Sequence, residues 1–260
     1  MKFGIVIATY EIEKNSGVNN NRANYVNTYS LLTDAIISVK KQIHKDWKIY
    51  IVGDHFKNER KIKDHLSGLL EKDKYVFYNL DKPGERNRGF SKKELRFTGG
   101  SAAANKGLEL CLAENIDILT RLDHDDIWTD EHLSHLCAAY TQYPNLAFAF
   151  TQGRKKISSY NSSKEYLIMP DKKVRRFLNN CFYVSGATAH SSVSWNPSIL
   201  GEFFYRDPLE QKTANPIRKN VQPGDIDMFK RIGEHIKKNN LQYLYVPEPT
   251  VFHRNRKGEI

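Results

Sequence analysis

Several things are scarce in this chain, and each scarcity removes a class of explanation. There are only 3 cysteines, Cys111, Cys137 and Cys181, far apart and in apolar surroundings. An odd, scattered set supports neither a disulfide framework nor a zinc site, and predicts reduced core thiols in a cytoplasmic protein. No apolar run approaches the roughly 18 to 20 residues of a membrane span. The opening Met1-Lys2-Phe3-Gly4-Ile5-Val6-Ile7 lacks a signal-peptide layout and reads as a strand. Neither an internal repeat nor a long linker is present. The basic excess is real, 40 Lys and Arg against 30 Asp and Glu for a net charge of +10. It comes without a zinc finger or an RNA-binding aromatic signature, so sequence-specific reading of nucleic acid is excluded. Anionic small substrates such as nucleotide diphosphates, and peripheral contact with an anionic membrane surface, are left.

What is present suits one folded unit: 260 residues, 40% hydrophobic and 12% aromatic, are enough for a substantial core. Phe3 to Ala8 is a continuous apolar run of the kind a parallel strand buried on both faces shows. Helical spacing over Thr28 to Gln42, a strand over Trp47 to Val52, a helix over Lys57 to Leu70 and a strand at Tyr75 to Tyr78 follow. That alternation predicts a doubly wound α/β sheet, mixed but mainly parallel. Further helices are expected at Ser101 to Leu112, Asp130 to Tyr143, Val174 to Phe182 and from Asp225 onward, with strands at Ala147 to Gln152 and Tyr243 to Val246. Residues 11–27, 81–98, 153–171 and 208–221 read as loops, the third with hairpin pieces near Tyr166 to Met169. Gly186 to Trp195 is small and polar, suited to a loop or short strand lining a cleft.

The densest chemistry lies at Arg121-Leu122-Asp123-His124-Asp125-Asp126. An apolar run from Ile116 ends there in three carboxylates within four residues, and in an open α/β sheet ligands bind beyond the carboxyl ends of the strands. Like charges this close repel unless a cation sits among them, and hard oxygen donors select Mg²⁺ or Mn²⁺ over zinc. The competing reading is an acidic turn capping the helix that starts near Thr129-Asp130-Glu131. Gly99-Gly100 before the alanine-rich helix similarly suits either phosphate on exposed N–H groups or close packing on the sheet.

Six stretches in order resemble glycosyltransferase family two on the GT-A (nucleotide-diphospho-sugar transferase-like) fold. They are Ile5-Val6-Ile7-Ala8-Thr9-Tyr10, Ser38-Val39-Lys40-Lys41-Gln42, Val52-Gly53-Asp54, Ser101-Ala102-Ala103-Ala104-Asn105, Leu122-Asp123-His124-Asp125-Asp126 (the DxD motif) and Gly224-Asp225-Ile226-Asp227. Three positions depart from the pattern: Gly53 stands for an acid, Ala104 for an arginine and Gly224 for a glutamate.

The resemblance implies a single GT-A domain over residues 1–260, with a nucleotide-sugar-binding half at 1–126 and an acceptor-binding half at 127–260. It implies a metal-dependent, inverting hexosyl- or pentosyltransferase that uses Mn²⁺ or Mg²⁺. The donor would be a nucleotide-diphosphate sugar and the acceptor a hydroxyl on a glycan, lipid-linked or protein-linked. Ala8, Thr9, Tyr10, Asp54, Asn105, Arg121 and Asp123 are implied at the substrate, with Asp54 on the base and Asp123 in the ribose or metal region. Asp125 is the expected metal ligand, with His253 completing the site, and Asp225 the general base, opposite the leaving group. Each role has a plainer rival. Asp54 and Asp225 are also placed to cap helices, Asp227 competes as base, and a lone His253 also suits a structural role. Arg88, Lys92, Lys93 and Arg96 are candidates for the diphosphate charge that Ala104 does not supply, and Arg121 for pairing with an acid. Two other function classes fit the fold: a non-catalytic carbohydrate or polyanion binder, and a nucleotidyltransferase, although the Gly-rich, Arg-containing loop usual in the latter is missing after the first strand.

Overall fold

A computed structural model describes residues 1–11, 27–85, 88–159, 162–167, 190–214 and 221–253, with the side chains of 155–159 and 162–167 excepted. The expected helix at Val174 to Phe182, Cys181, and most of the 11–27 loop lie outside the described residues.

Among the described residues nine strands form one sheet in the order β3-β2-β1-β4-β8-β6-β9-β5, with β7 paired to β6. The first four in that order are parallel: β3 (Tyr75–Asn79), β2 (Trp47–Gly53), β1 (Phe3–Thr9) and β4 (Ile118–Arg121). Next comes the short β8 (Val193–Trp195), antiparallel to both β4 and β6 (Leu146–Ser159). Beyond β6 lies β9 (Gln242–His253), parallel to it, and at the edge β5 (Asp126–Trp128), antiparallel to β9. β7 (Ser162–Leu167) completes a hairpin with β6. The architecture is the expected mixed α/β sheet with helices on both faces.

The pleat explains the two layers. Phe3, Ile5 and Ile7 of β1, with Trp47, Ile49 and Ile51 of β2, point to one face. There they meet Leu32, Ile36 and Val39 of α1 (Thr28–Lys40), Ile62 and Leu66 of α2 (Glu59–Ser67), and Leu133 and Leu136 of α5 (His132–Gln142). Val6 and Tyr50 point the other way, into a cluster with Ala104 and Leu108 of α4 (Ser101–Leu112) and Phe229, Ile232 and Ile236 of a long C-terminal helix. Alternate side chains of one strand thus feed two cores, and this holds β1 and β2 central.

Some boundaries differ from expectation. Lys92–Thr98, read as loop, is a helix (α3) because Ser91 and Glu94 form a reciprocal capping box, outweighing its lack of hydrophobic period. Pro208–Ala214 is also helical (α7, after the short α6 at Pro197–Leu200), its start fixed by Asp207 and Glu210 accepting each other's backbone N–H. The acidic stretch is shorter than a loop from Asp123 to Thr129. Asp126 already belongs to β5, opposite His253 in the register. Consequently α5 starts at His132 rather than Asp130, and no side-chain cap opens it. The last helix, α8, runs Gly224–Asn239.

Candidate active site

The carboxyl ends of β1, β2 and β4 bring Thr9, Asp54 and the acidic stretch together, as register Thr9↔Gly53 and Val6↔Arg121 require. Asp123 lies at the centre. Its carboxylate accepts from Arg121 Nε at 3.2 Å and lies 3.1 Å from Arg121 Nη2, while His190 Nδ1 is 3.3 Å from the other oxygen. Burial pushes this acid upward, but Arg121 and then His190 outweigh it and hold Asp123 well below the usual carboxylate range. Asp123 therefore stays ionised, a fixed negative charge at the end of β4.

Asp126 is 1% exposed and lies 2.7 Å from His253 Nδ1. Its other oxygen accepts from Ser191 Oγ at 2.6 Å. Burial pushes Asp126 up, and Asp126 in turn raises His253 to about 9. His253 thus closes on Asp126 through the β5–β9 register, whereas the sequence paired it with Asp125 around a cation. Asp125 is half-buried beside them and acts electrostatically on both.

Tyr205 links this cluster to the last helix. It is 3% exposed. Arg121 lies over its ring, 4.7 Å from the centroid, and His190 meets the ring edge at 5.7 Å. The phenol is pushed up by burial and senses the charges of Arg121, Asp123 and Asp225 together. Its backbone is clasped by Asn105, whose amide donates to Tyr205 O at 2.8 Å and accepts from Tyr205 N at 2.7 Å. Asn105, expected at the substrate, acts on this site by holding Tyr205. Ahead of it, Phe204 O accepts from Arg231 Nη2 at 2.6 Å.

The two acids of α8 separate here. Asp227 is buried and bound to Arg231 at 2.9 Å, a structural pair. Asp225 is half-buried in the first turn, next to Gly224, which packs beside Tyr205; the cap position belongs to Pro223, which offers no side-chain cap. A β-carbon on Gly224 would sit 3.5 Å from both Ser101 Oγ and Tyr205 Cδ1, so the missing glutamate leaves room facing the site.

Two sequence expectations shift. Gly100 does adopt a left-handed backbone at φ 88, but two N–H groups at the start of α4, those of Gly100 and Ala102, are occupied. Buried Glu85 accepts from Ala102 N at 2.7 Å and Gly100 N at 3.2 Å, an internal carboxyl group where phosphate was considered. The alanines serve packing: Ala103 and Ala104 are buried on the sheet. Of the cations considered for a diphosphate, Arg88 pairs with Asp207. Asp54 Oδ1 accepts from Gly84 N at 2.8 Å, fixing the loop after β3. Gly53 replaces an acid because a β-carbon there would meet Phe56 Cδ2 at 2.7 Å and Asn79 Oδ1 at 2.8 Å.

Ser191 and Gln42 were not singled out as functional. Ser191 donates to Asp126, accepts from Asp123 N at 2.9 Å, and its carbonyl accepts from Trp128 Nε1 at 2.6 Å. This one serine shapes the acidic turn from behind. Gln42 donates to Thr129 O at 2.6 Å and Ser38 O at 3.0 Å and accepts from Leu133 N at 2.8 Å, while Ser38 Oγ accepts from Trp128 N. The Ser-x-x-x-Gln spacing therefore clamps α1 to the backbone leaving β5.

Polar atoms shut off from solvent and left without a hydrogen bond gather at this end: Thr9 Oγ1, His124 Nε2 and His190 Nε2 have no partner among the described residues. Each such atom costs about 1–3 kcal/mol unless something binds it.

A family model, glycosyl transferase family 2, matches residues 24–195. The chain belongs to that family. The match covers the acidic stretch and ends before Asp225 and His253. As a family member the protein is a glycosyltransferase. Over its whole length it is 29% identical to an uncharacterized glycosyltransferase, R139, of Acanthamoeba polyphaga mimivirus, covering 96% of that protein. Its fold is similar to that of S. aureus TarS 1–349 in complex with UDP-GlcNAc, with a TM-score of 0.59 at 12% identity over 98% of this chain. TarS 1–349 without that ligand gives a TM-score of 0.60 at 13% identity. The chain spans 59% and 60% of those two TarS chains.

A divalent cation fits the residues present as an open site rather than a cage. Among the described residues no three His, Cys, Asp or Glu side chains converge on one point. Mg²⁺-type sites commonly use one or two carboxylates and take the remaining oxygens from substrate phosphates. Asp125, half-buried beside Asp126, would be such a carboxylate, with His253 in the same cluster. Among the described residues no helix is long and apolar enough to cross a membrane.

Proposed function

We propose that the protein transfers a sugar from a nucleotide-diphosphate donor to a hydroxyl acceptor with inversion, assisted by Mn²⁺ or Mg²⁺ and with Asp225 as general base. The observation that carries this reading is Tyr205, a buried residue whose ring lies under Arg121 of β4 at 4.7 Å and beside Gly224, the neighbour of Asp225 at the start of α8. Donor-side and base-side elements, about 100 residues apart in sequence, thus meet around one side chain.

In this reading residues 1–126 bind the nucleotide sugar and residues 127–260 the acceptor, within one domain. Asp54 takes the base, and Ala8, Thr9 and Tyr10 border the nucleoside. Asp123, held ionised by Arg121 and His190, receives ribose hydroxyls. Asp125 and His253 hold the cation, which would supply Lewis-acid neutralisation of the leaving diphosphate. Asp225 removes the acceptor proton as the hydroxyl attacks the anomeric carbon. Asp227 is unsuited to that task because Arg231 holds it. Arg121 serves by holding Asp123 ionised, and Lys92, Lys93 and Arg96 remain the candidates for the diphosphate charge that Ala104 leaves short.

The decisive measurement is a thermal-shift and turnover screen of nucleotide sugars with and without Mn²⁺. One donor should raise the melting temperature and be hydrolysed or transferred, with Asp125→Ala abolishing turnover. If no nucleotide or nucleotide sugar binds, the reading fails, and metal-independent glycan binding would favour a non-catalytic carbohydrate binder instead.

A further inference from the structure

The opposite end of the sheet carries a second site. Where β2 and β3 begin, and where α1 and α2 end, an open cleft of about 790 Å³ is lined by Lys40, Trp47, Leu70, Lys72, Lys74 and Tyr75, with Glu71 the one acid in its wall. Two of its ammonium groups, those of Lys40 and Lys74, are held by neutral partners. Lys40 Nζ donates to Leu69 O at 2.7 Å. Neighbouring Lys45 Nζ donates to Lys40 O at 3.2 Å, and Lys74 Nζ to Lys45 O at 3.4 Å while lying 5.2 Å over the Trp47 ring. None of Lys40, Lys45, Lys72 and Lys74 has a carboxylate within ion-pair distance among the described residues. Elsewhere lysines find acids: Lys48 pairs with Glu114 at 2.8 Å and Lys106 with Glu109 at 3.0 Å. Trp47 is 7% exposed, and its indole N–H has no acceptor among the described residues.

The plain explanation, that these lysines cap helix ends, does not balance the charge. The carboxyl ends of α1 and α2 amount to about half a negative charge each. Set with Glu71 against the three lysines that line the cleft, they leave about one positive charge facing it. The volume is that of a small-molecule site, and Leu70 and Tyr75 give it an apolar wall. Lysine is a point-charge binder of phosphate. We infer that this cleft binds a phosphate-bearing ligand, either a free phosphorylated molecule or an anionic lipid headgroup. Six residues of β2 separate Trp47 from Gly53, about 20 Å at a strand's rise, so the cleft and the candidate active site can be filled together.

The test is calorimetric titration of the full chain with inorganic tripolyphosphate in EDTA, which leaves the acidic end without a cation. Saturable binding is expected, weakened about tenfold or more in Lys40→Gln/Lys72→Gln/Lys74→Gln. Lys230→Gln/Lys237→Gln/Lys238→Gln on α8 should stay within about threefold, both triples melting within about 2 °C of the parent. No binding, no loss, or the same loss in both triples overturns the site and reduces it to diffuse charge. Co-sedimentation with vesicles of phosphatidylcholine containing phosphatidylglycerol, but not with phosphatidylcholine alone, assigns the headgroup if the first triple abolishes it. Tripolyphosphate binding without vesicle binding assigns the free ligand. Donor turnover in the first triple is expected unchanged, so this inference and the proposed transferase reading fail separately.

Discussion

The two ends of the sheet handle charge in opposite ways. At the carboxyl end acids and bases are matched, half-buried Asp123 with buried Arg121 and buried Asp126 with half-buried His253. At the amino end lysines stay at the surface and lean on carbonyl oxygens. The difference is one of cost. A buried charge must be paired or it destabilises the fold by several kcal/mol, so the acidic end comes already neutralised and a ligand there has to rearrange existing pairs. An exposed ammonium costs little unpaired, so the basic end presents its charge ready-made.

The largest expected effect sharpens the acidic end. Asp225→Asn should lower turnover by about 10²–10⁴-fold with donor binding little changed, whereas Asp227→Asn should act mainly through stability; equal losses of turnover in both would contradict the division drawn between them. Next, Arg121→Ala leaves half-buried Asp123 with His190 alone and should cost about 1–3 kcal/mol in denaturant unfolding, while Lys72→Ala should stay within about 0.5 kcal/mol. A similar cost for both would erase the contrast between the ends. A third measurement uses acid. Burial depresses His132 to about 3, and it stacks on Trp128 at 4.2 Å. Its folded value lies below the ordinary one near 6.5, so its contribution is complete above that pH. It is lost at up to about 1.4 kcal/mol per pH unit as pH falls toward 3. His132→Phe should flatten that slope. The smallest effect is expected at Gly224, where Ala meets only ordinary contacts and should leave melting within a few degrees while narrowing the space beside Tyr205.

Much of this was legible from pattern. Alternation in β1 and β2 and the 3.6 period of α1 set the layers. Carboxylates at strand ends marked the site, and the family likeness ordered it. Lost to that reading were features set by partners distant in sequence. His253 meets Asp126 because β9 turns antiparallel to β5, and Glu85 reaches the start of α4 from the loop after β3. Nothing local in a lone histidine or glutamate encodes either contact. The helix at Lys92–Thr98 was different, since its Ser-x-x-Glu signature was in plain sight among the basic residues that hid it.

Gln42 carries a consequence for motion. With its two donated bonds and one accepted bond, it fastens the last turn of α1 to the start of α5. The helix cannot fray at that end without releasing the amide of Leu133, so the two segments should exchange their backbone hydrogens as one cooperative unit. Replacing Gln42 by Leu would split that unit into two rates. The polypeptide just beyond the acidic turn would then breathe independently of the layer that supports it.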